Sequence, residues 1–198
     1  MRVRAEAAAQ THRAIVDAFL ALFGERFADE ITLDAVADRA GVSVRTVIRR
    51  FGSRDRLLEA AAAHVREAIL DQRMDAPVGD IPGAVHTLVE HYEHWGEQVA
   101  LRLLMQEERD PALKAGADEG RALHREWVER TFEPLLARRR DAARRRLLAE
   151  LVAVCDVYMW KVLRRDMGLS RAQTEAALEE MLSALEVRVS DGEARSRR

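Results

Sequence analysis

The fold is decided by the stretch LDAVADRAGVSVRTVIRRF, at residues 33–51, in which two short helical patterns flank a single glycine. The first pattern covers Leu33–Ala40 and the second covers Val44–Phe51. Ser43 stands immediately before the second pattern, where a hydroxyl side chain can cap a helix. Gly41 lies between the two, and glycine tolerates the positive φ that a tight turn requires. We therefore predict two short helices joined by a turn at Gly41 and Ser43.

The second of these helices has an apolar face and a polar face. Val47 and Phe51 lie four residues apart and are expected to face the interior. Arg45, Thr46 and Arg49 occupy the remaining surface, where arginine can bind guanine O6 and N7 and threonine can contact a base edge. Two short helices with a tight turn and such a surface are typical of a helix-turn-helix, whose second helix enters the major groove of DNA.

Local charge favours a nucleic-acid contact, although the whole chain is not basic. Between Arg39 and Arg56 there are six arginines and one acid, Asp55. The formal net charge of -2 and the pI near 6.3 exclude a protein that coats nucleic acid through bulk positive charge. A run of charge is usually just a solvated helix face, but the glycine turn and the capped helix favour the functional interpretation.

The composition indicates an all-α protein. Apolar residues make up 48% and charged residues 33% of the 198 positions, and only four are proline. The single cysteine, Cys155, excludes an intrachain disulfide and suits a reducing compartment. The first residues lack the apolar core of a signal peptide, and no apolar stretch is long enough to span a bilayer. We expect a cytoplasmic protein with no membrane partner.

Helical periodicity and proline together predict the domain organisation. A first helix is predicted at residues 11–23, and a fourth begins after the cap Ser53 and continues toward Asp71. Pro77 and Pro82 follow and mark the boundary. We predict a helix-turn-helix domain at residues 1–55, a connecting helix at 56–76, a larger helical domain at 77–190 and a disordered tail at 191–198.

The larger domain contains long helical patterns at residues 84–99, 118–136, 141–165 and 170–189. Apolar residues occupy two faces of the third of these helices, so it must be buried on two sides, one against its own domain and one against a second subunit. With the last helix it is expected to form the four-helix interface of a homodimer. The predicted interface residues are Leu147, Leu151, Val154, Tyr158, Leu178, Met181, Leu182 and Leu185.

The segment ITLDAVADRAGVSVRTVIRRFGSRDRLLEAA resembles the DNA-binding region of the TetR (tetracycline repressor) family of bacterial regulators. A dozen positions carry the resemblance at fixed spacing: Thr32, Val36, Ala37, Ala40, Gly41, Val42, Ser43, Thr46, Val47, Phe51, Ser53 and Leu57. It covers roughly residues 11 to 65, about a quarter of the chain. Two departures concern the DNA surface: Ile48 replaces a tyrosine that often contacts phosphate, and Arg54 replaces a lysine.

The resemblance implies a homodimeric, ligand-responsive transcriptional regulator. Such a protein is expected to act as a repressor, released from a near-palindromic operator in double-stranded DNA by a small, largely apolar effector, and to be neither an enzyme nor dependent on a cofactor. The implied DNA contacts are Arg45, Thr46 and Arg49 to bases and Thr32, Arg50 and Arg54 to phosphates, with Val44 beside them.

The resemblance also implies a ligand pocket between the helices of the larger domain. Aromatic side chains and methionines at helical spacing are more often core residues than ligand contacts, and that alternative stays open. The candidates for the pocket are Tyr92, Trp95, Leu123, Trp127, Cys155 and Met159. His86, His91 and His94 are predicted to be solvated or capping residues, because their spacing places at most two on one face, and we predict no metal site.

Two other functions were weighed against the regulator. An enzyme is disfavoured, because no nucleophile and base arrangement, metal motif or phosphate-binding loop stands out in the sequence. A protein of the same fold that binds a partner protein instead of DNA is the stronger alternative, and Ile48 makes it more credible because isoleucine cannot donate a hydrogen bond to phosphate.

Overall fold

The computed structural model describes residues 2–196, with the side chains of residues 6–189, and every regular element in this part is a helix. The α-helices are α1 (Arg2–Glu25), α2 (Leu33–Ala40), α3 (Val44–Phe51), α4 (Arg54–Met74), α5 (Ile81–Trp95), α6 (Arg102–Gln106), α7 (Pro111–Thr131), α8 (Glu133–Leu136), α9 (Asp141–Val154), α10 (Val157–Lys161) and α11 (Arg171–Ser196). Two π-helical turns, Gly96–Leu101 and Val162–Asp166, and two 3-10 turns, Ala28–Glu30 and Glu107–Arg109, complete the set. The predicted all-α class is confirmed.

The helix-turn-helix forms with the predicted bounds. Thr32 Oγ1 accepts a hydrogen bond from Ala35 N at 3.1 Å and begins α2, and Ser43 Oγ accepts from Thr46 N at 3.2 Å and begins α3. Gly41 ends α2 with a φ of 67°, the left-handed conformation that glycine adopts without a Cβ penalty. Each boundary is therefore set by a local signal.

The apolar faces of the first four helices meet in one core. Its fully buried members include Ile15, Phe19 and Leu22 from α1, Val36 from α2, Val47 from α3 and Leu57 from α4. Each side chain of this size contributes about 1.5–3 kcal/mol on burial, so the short helices α2 and α3 are held by packing rather than by their own propensity.

The chain divides into two compact units whose boundary differs from the predicted one. The first unit contains Met1–Leu70 and Glu97–Gly116, and the second contains Asp71–Gly96 and Ala117–Arg198. The prolines near residue 77 therefore mark a loop inside the second unit, not the edge of the first. The sequence pattern could not show this, because residues 97–116 join the N-terminal helices only through tertiary contacts.

Three side chains attach residues 97–116 to the N-terminal helices. Gln106 is buried, and its Oε1 accepts a hydrogen bond from Ala28 N at 2.7 Å. Arg102 Nε donates to Gly24 O at 2.8 Å. The Arg109 guanidinium lies 4.0 Å from the centre of the Phe27 ring. The two hydrogen bonds satisfy backbone groups at the end of α1 and in the following turn, where an unpaired group would be costly.

The second unit corrects the prediction of one helix at residues 141–165. The helix stops at Val154, and Asp156 starts α10 by accepting a hydrogen bond from Tyr158 N through Oδ1 at 2.9 Å. Aspartate is a strong N-cap residue, and the break changes which side chains face inward. Trp160 becomes fully buried, whereas Met159 is only half-buried.

The last helix begins as predicted and ends later. Ser170 Oγ accepts from Gln173 N at 3.2 Å while Gln173 Oε1 accepts from Ser170 N at 2.9 Å, a reciprocal cap at the start of α11. The backbone of residues 191–196 continues this helix through a segment predicted to be a disordered tail, and residues 197 and 198 lie outside the described part. Glutamate, alanine and arginine have high helix propensity, and the segment carries no apolar periodicity from which its helix could be predicted.

Replacing Gly41 with alanine is expected to lower the free energy of unfolding by about 1 kcal/mol, because a Cβ is strained at positive φ. No atom lies within 4 Å of the added carbon, so the cost comes from the backbone alone. Gly120 of α7 is the matched control: a Cβ there also meets nothing, but its φ is not positive, and Gly120→Ala is expected to stabilise slightly. Thermal unfolding of both variants measures this, and equal effects would contradict the backbone explanation.

Candidate functional sites

The outward face of α3 is formed by Arg45, Ile48 and Arg49, which are all exposed. Among the described residues neither arginine has a hydrogen bond or an ion pair within the chain. Val47 and Phe51, on the opposite face, are buried and fix the rotation of the helix. Two unpaired guanidinium groups are therefore held on one face, with an apolar side chain between them.

The other predicted DNA contacts are only partly available. Thr46 is half-buried and its Oγ1 lies 2.9 Å from Ser43 Oγ, while Val44 is also half-buried. Thr32 is exposed but uses its hydroxyl to cap α2. Arg50 is half-buried, and its Nε is shielded from solvent without a hydrogen-bond partner in the described part of the chain.

Arg54 corrects a prediction. Its Nε donates to Ile31 O at 3.1 Å, its Nη2 donates to Ala28 O, and its Nη1 lies 3.5 Å from Asp55 Oδ1. The guanidinium is thus engaged by the turn between α1 and α2, so it is less available to a phosphate than the sequence predicts. Five donors on one planar group let arginine bridge two carbonyls, which the replaced lysine could not do in the same geometry.

Arg39 is also removed from the local positive surface. Its two terminal nitrogens bind both oxygens of Glu25, at 2.9 and 2.8 Å. The resulting bidentate pair raises the pKa of Arg39 and lowers the pKa of Glu25, through the hydrogen bonds between them. The positive charge that stays unpaired is therefore concentrated on and beside α3.

Comparison with known proteins identifies the first unit. Residues 15–61 match the family described as bacterial regulatory proteins, tetR family. Over these residues the chain is similar to the TetR family. The matched segment contains the helix-turn-helix of the first unit, and the exposed face of α3 is the candidate recognition surface. No curated protein sequence matches the chain.

Solved structures of transcriptional regulators share the fold of most of this chain. A transcriptional regulator from Rhodococcus sp. Rha1 superposes with a TM-score of 0.68 at 16% identity, over 88% of this chain and 95% of that one. A tetR-family transcriptional regulator from Streptomyces coelicolor superposes with a TM-score of 0.61 at 19% identity, over 92% and 89%. At these identities the likeness shows the fold alone.

The second unit buries half of the predicted pocket residues. Tyr92, Trp127 and Cys155 are buried, whereas Trp95, Leu123 and Met159 are half-buried. The Tyr92 hydroxyl donates to Cys155 O at 2.9 Å, and Trp127 Nε1 donates to Arg73 O at 3.0 Å. Tyr92, Trp127 and Cys155 therefore belong to the interior of this unit, where the polar atoms of the tyrosine and the tryptophan are satisfied.

Three polar residues that the sequence did not predict lie in the same interior. Arg73, His91 and His124 are all buried, and Arg73 Nη2 lies 3.0 Å from His124 Nδ1. The Arg73 guanidinium also lies 4.5 Å from the centre of the Trp127 ring. His91 had been predicted to be solvated or capping, and this is corrected: its Nδ1 lies 3.3 Å from Gln72 Oε1. We call Arg73, His91, Tyr92, His124, Trp127 and Cys155 the buried cluster.

The hydrogen bonds fix the protonation of His124. Arginine can only donate, so Nδ1 of His124 accepts, and Nε2 then donates to Val152 O at 3.2 Å. The ring is therefore neutral. Burial and the Arg73 charge lower the pKa of His124 to about 4 and hold the pKa of His91 well below its usual range.

The predicted dimer residues separate into two groups. Leu147, Leu151, Leu178 and Leu182 are buried within their own unit, so the prediction that they form the interface is corrected. Tyr158 and Met181 are exposed, and Val154 and Leu185 are half-buried. The amphipathic pattern could not separate these groups, because one apolar stripe served both the core and the surface.

The described residues hold neither a cluster of metal-binding side chains nor a membrane-spanning helix. No group of three or more histidine, cysteine, aspartate or glutamate side chains there is arranged to hold a metal ion. None of the helices in that part is sufficiently long and apolar to cross a membrane.

Arg54→Ala is expected to destabilise the first unit by about 1–3 kcal/mol, because it leaves Ala28 O and Ile31 O without their charged donor. In DNA binding, its effect on the salt dependence is expected to be small. Arg49→Ala is the matched control: it removes an exposed, unpaired arginine, and should reduce the slope of log K against log salt by about one unit while leaving the melting temperature nearly unchanged. If instead Arg54→Ala reduced the salt slope and left the melting temperature unchanged, Arg54 would be a phosphate contact.

The depressed pKa of His124 predicts that acid destabilises the second unit. Below pH 6.5 the His124 ring binds a proton in the unfolded chain but stays neutral in the folded protein. The free energy of unfolding therefore decreases as the pH falls toward about 4, the pKa of His124 in the folded protein. The expected loss attributable to His124 is about 2 kcal/mol at pH 5. In His124→Asn an amide oxygen takes the place of Nδ1 as the acceptor for Arg73. The melting temperature of this variant should therefore decrease less between pH 7.5 and pH 5 than that of the wild type. His94→Asn, at an exposed position of α5, should leave that fall unchanged.

Proposed function

We propose that this protein is a homodimeric, ligand-responsive regulator that represses transcription from a near-palindromic operator in the cytoplasm. The observation that carries the proposal is the exposed face of α3, where Arg45 and Arg49 have no partner in the chain and flank Ile48. An unpaired, oriented pair of guanidinium groups on a capped helix suits the major groove of DNA.

The spacing on α3 suggests how a base sequence is read. Residues 45, 48 and 49 differ by three and four positions, so they project from one side of the helix onto neighbouring base pairs. Each arginine can bind guanine O6 and N7 in bidentate fashion. Ile48 has 48% of its surface exposed and can contact the methyl group of thymine. The proposed half-site therefore combines guanines with a thymine between them.

A dimer is supported by an apolar surface on the second unit. Tyr158, Val162, Met181 and Val187 of this unit are exposed, and an ion pair between Arg188 and Glu150 joins α11 to α9. A second copy of the chain covering this surface would bury the apolar groups and would pair two recognition helices. DNA half-sites about 34–36 Å apart are then read by one dimer.

The response to an effector is assigned to the second unit. A small molecule that binds one conformation more tightly than another shifts the population by its differential affinity. If the favoured conformation binds the operator less well, effector and DNA oppose each other, and the coupling is reciprocal. The aromatic interior around Tyr92 and Trp127 is the proposed location, because effector sites are mostly apolar with a few polar anchors.

Ile48 also supports a second function, binding of a partner protein through α3. An exposed isoleucine at the centre of a surface is typical of a protein contact, and it replaces a tyrosine implied by the family resemblance. The two arginines beside it favour the DNA-binding function, because in the described residues no acid of this chain neutralises them.

Selection of duplexes from a random DNA pool tests the proposal. We expect enrichment of a near-palindrome containing guanines and one thymine in each half-site. Ile48→Ala should relax the preference for thymine at that single position, at a cost of about 1 kcal/mol, because it removes the contact with the methyl group. Arg125→Ala, at an exposed position of α7, is the control and should leave the selected sequence unchanged. Absence of any enrichment at low salt would favour the partner-binding function.

A further inference from the structure

Arg73 is a charged side chain in the interior of the second unit with no carboxylate beside it. Only 5% of its surface is exposed. Its Nη2 donates to the neutral ring of His124, and its Nε has no hydrogen-bond partner in the described part of the chain. The guanidinium remains charged at neutral pH, although burial lowers its pKa. A buried cation is normally paired, and this one is not.

The titratable groups around Arg73 cannot supply a negative charge. Burial and Arg73 keep His91 and His124 neutral. Burial raises the pKa of Cys155 to about 12 and also raises the pKa of Tyr92, so both remain protonated at neutral pH. The buried cluster therefore carries a net charge of about +1, contributed by one guanidinium.

The acid that acts on the buried cluster, Asp156, serves another purpose. Asp156 acts electrostatically on Tyr92 and Cys155, raising the pKa of each. Its Oδ1 accepts the hydrogen bond from Tyr158 N that starts α10. No ion pair joins Arg73 to Asp156 or to any other acid of the described residues. The described residues therefore leave the guanidinium of Arg73 without a carboxylate partner.

Partial compensation within the protein is weaker than an ion pair. The face of Trp127, 4.5 Å from the guanidinium, and the carboxyl end of α4 both favour a cation. Neither gives a hydrogen bond to Nε, which together with Nη2 forms the edge that binds a carboxylate side-on. Nη2 carries two hydrogens and uses one for His124, and Nε uses none.

We propose that the effector of this protein is an organic acid and that Arg73 binds its carboxylate. This inference rests on the proposed function, because it assigns the effector site to the buried cluster. The carboxylate accepts hydrogen bonds from Nε and Nη2, and the apolar remainder of the acid packs among aromatic side chains of the cluster. Solvent does not reach Nε in this structure, so the acid enters as the surrounding side chains part.

Matched pairs of acids and amides test the inference at pH 7.5. The probes are sodium acetate with acetamide, sodium benzoate with benzamide and sodium octanoate with octanamide, each amide supplemented with equimolar sodium chloride. Each pair holds the apolar part constant and changes the charge of the head. At least one acid is expected to raise the melting temperature by roughly 5–10 °C at a hundredfold excess over its Kd, and its amide by far less. If no acid exceeds its amide, the inference is overturned.

Two variants of Arg73 locate the effect. Arg73→Met replaces the guanidinium with an apolar side chain, so the acid should bind roughly 10- to 150-fold more weakly. Without any ligand this variant should melt at or above the wild-type temperature, because an uncompensated buried charge is gone. Arg73→Lys keeps the charge but not the planar fork, and should retain an intermediate response that keeps the test decisive if the methionine variant fails to fold. Arg125→Met removes an exposed arginine and should respond like wild type.

The operator assay separates this inference from the proposed function. Arg73→Met should bind the selected duplex as tightly as wild type and should fail to release it when the acid is added. Acid binding that depends on Arg73 without any operator supports the site and contradicts the regulator. Operator binding by wild type together with equal acid responses of wild type and Arg73→Met supports the regulator and overturns the role of Arg73.

Discussion

The burial of Val47 and Phe51 is the constraint on which the DNA-binding surface depends. These two side chains fix the rotation of α3 against α1 and α2, and that rotation decides which residues reach solvent. Gly41 ends α2 and Ser43 begins α3, but the burial of Val47 and Phe51 determines which face of α3 is exposed. Arg45, Ile48 and Arg49 are exposed as a consequence, without any contact of their own to hold them.

In the first unit, some arginines near α3 are bonded within the chain and others are exposed without a partner. Arg39 is paired with Glu25, and Arg54 is committed to the turn that precedes α2. The arginines of α3 stay unpaired. Charge near a recognition helix is therefore not equivalent to charge available for DNA. The second unit presents the opposite situation, because Arg73 is unpaired in an interior where an unpaired charge is expensive.

Local signals allowed α2, α3 and their caps to be predicted from the sequence, since Thr32, Gly41 and Ser43 each act within four residues. Features that depend on distant contacts were missed. The break at Asp156 interrupts an otherwise continuous apolar pattern, and the burial of Leu147 depends on helices distant in sequence. Arg73 lies in the last turn of α4, beside polar residues that are typical of a solvent-exposed helix end. No neighbouring residue in the sequence distinguishes it from a surface arginine.

The contribution of residues 97–116 to the first unit has a consequence for biosynthesis. The N-terminal helices leave the ribosome early, but Ala28 N–H lacks its partner Gln106 until a further 78 residues have been added. Residues 71–96 of the second unit, which include α5, are synthesised in between. The nascent chain therefore completes its DNA-binding unit only after part of the other unit has emerged, so the two units do not mature in the simple order of their sequence.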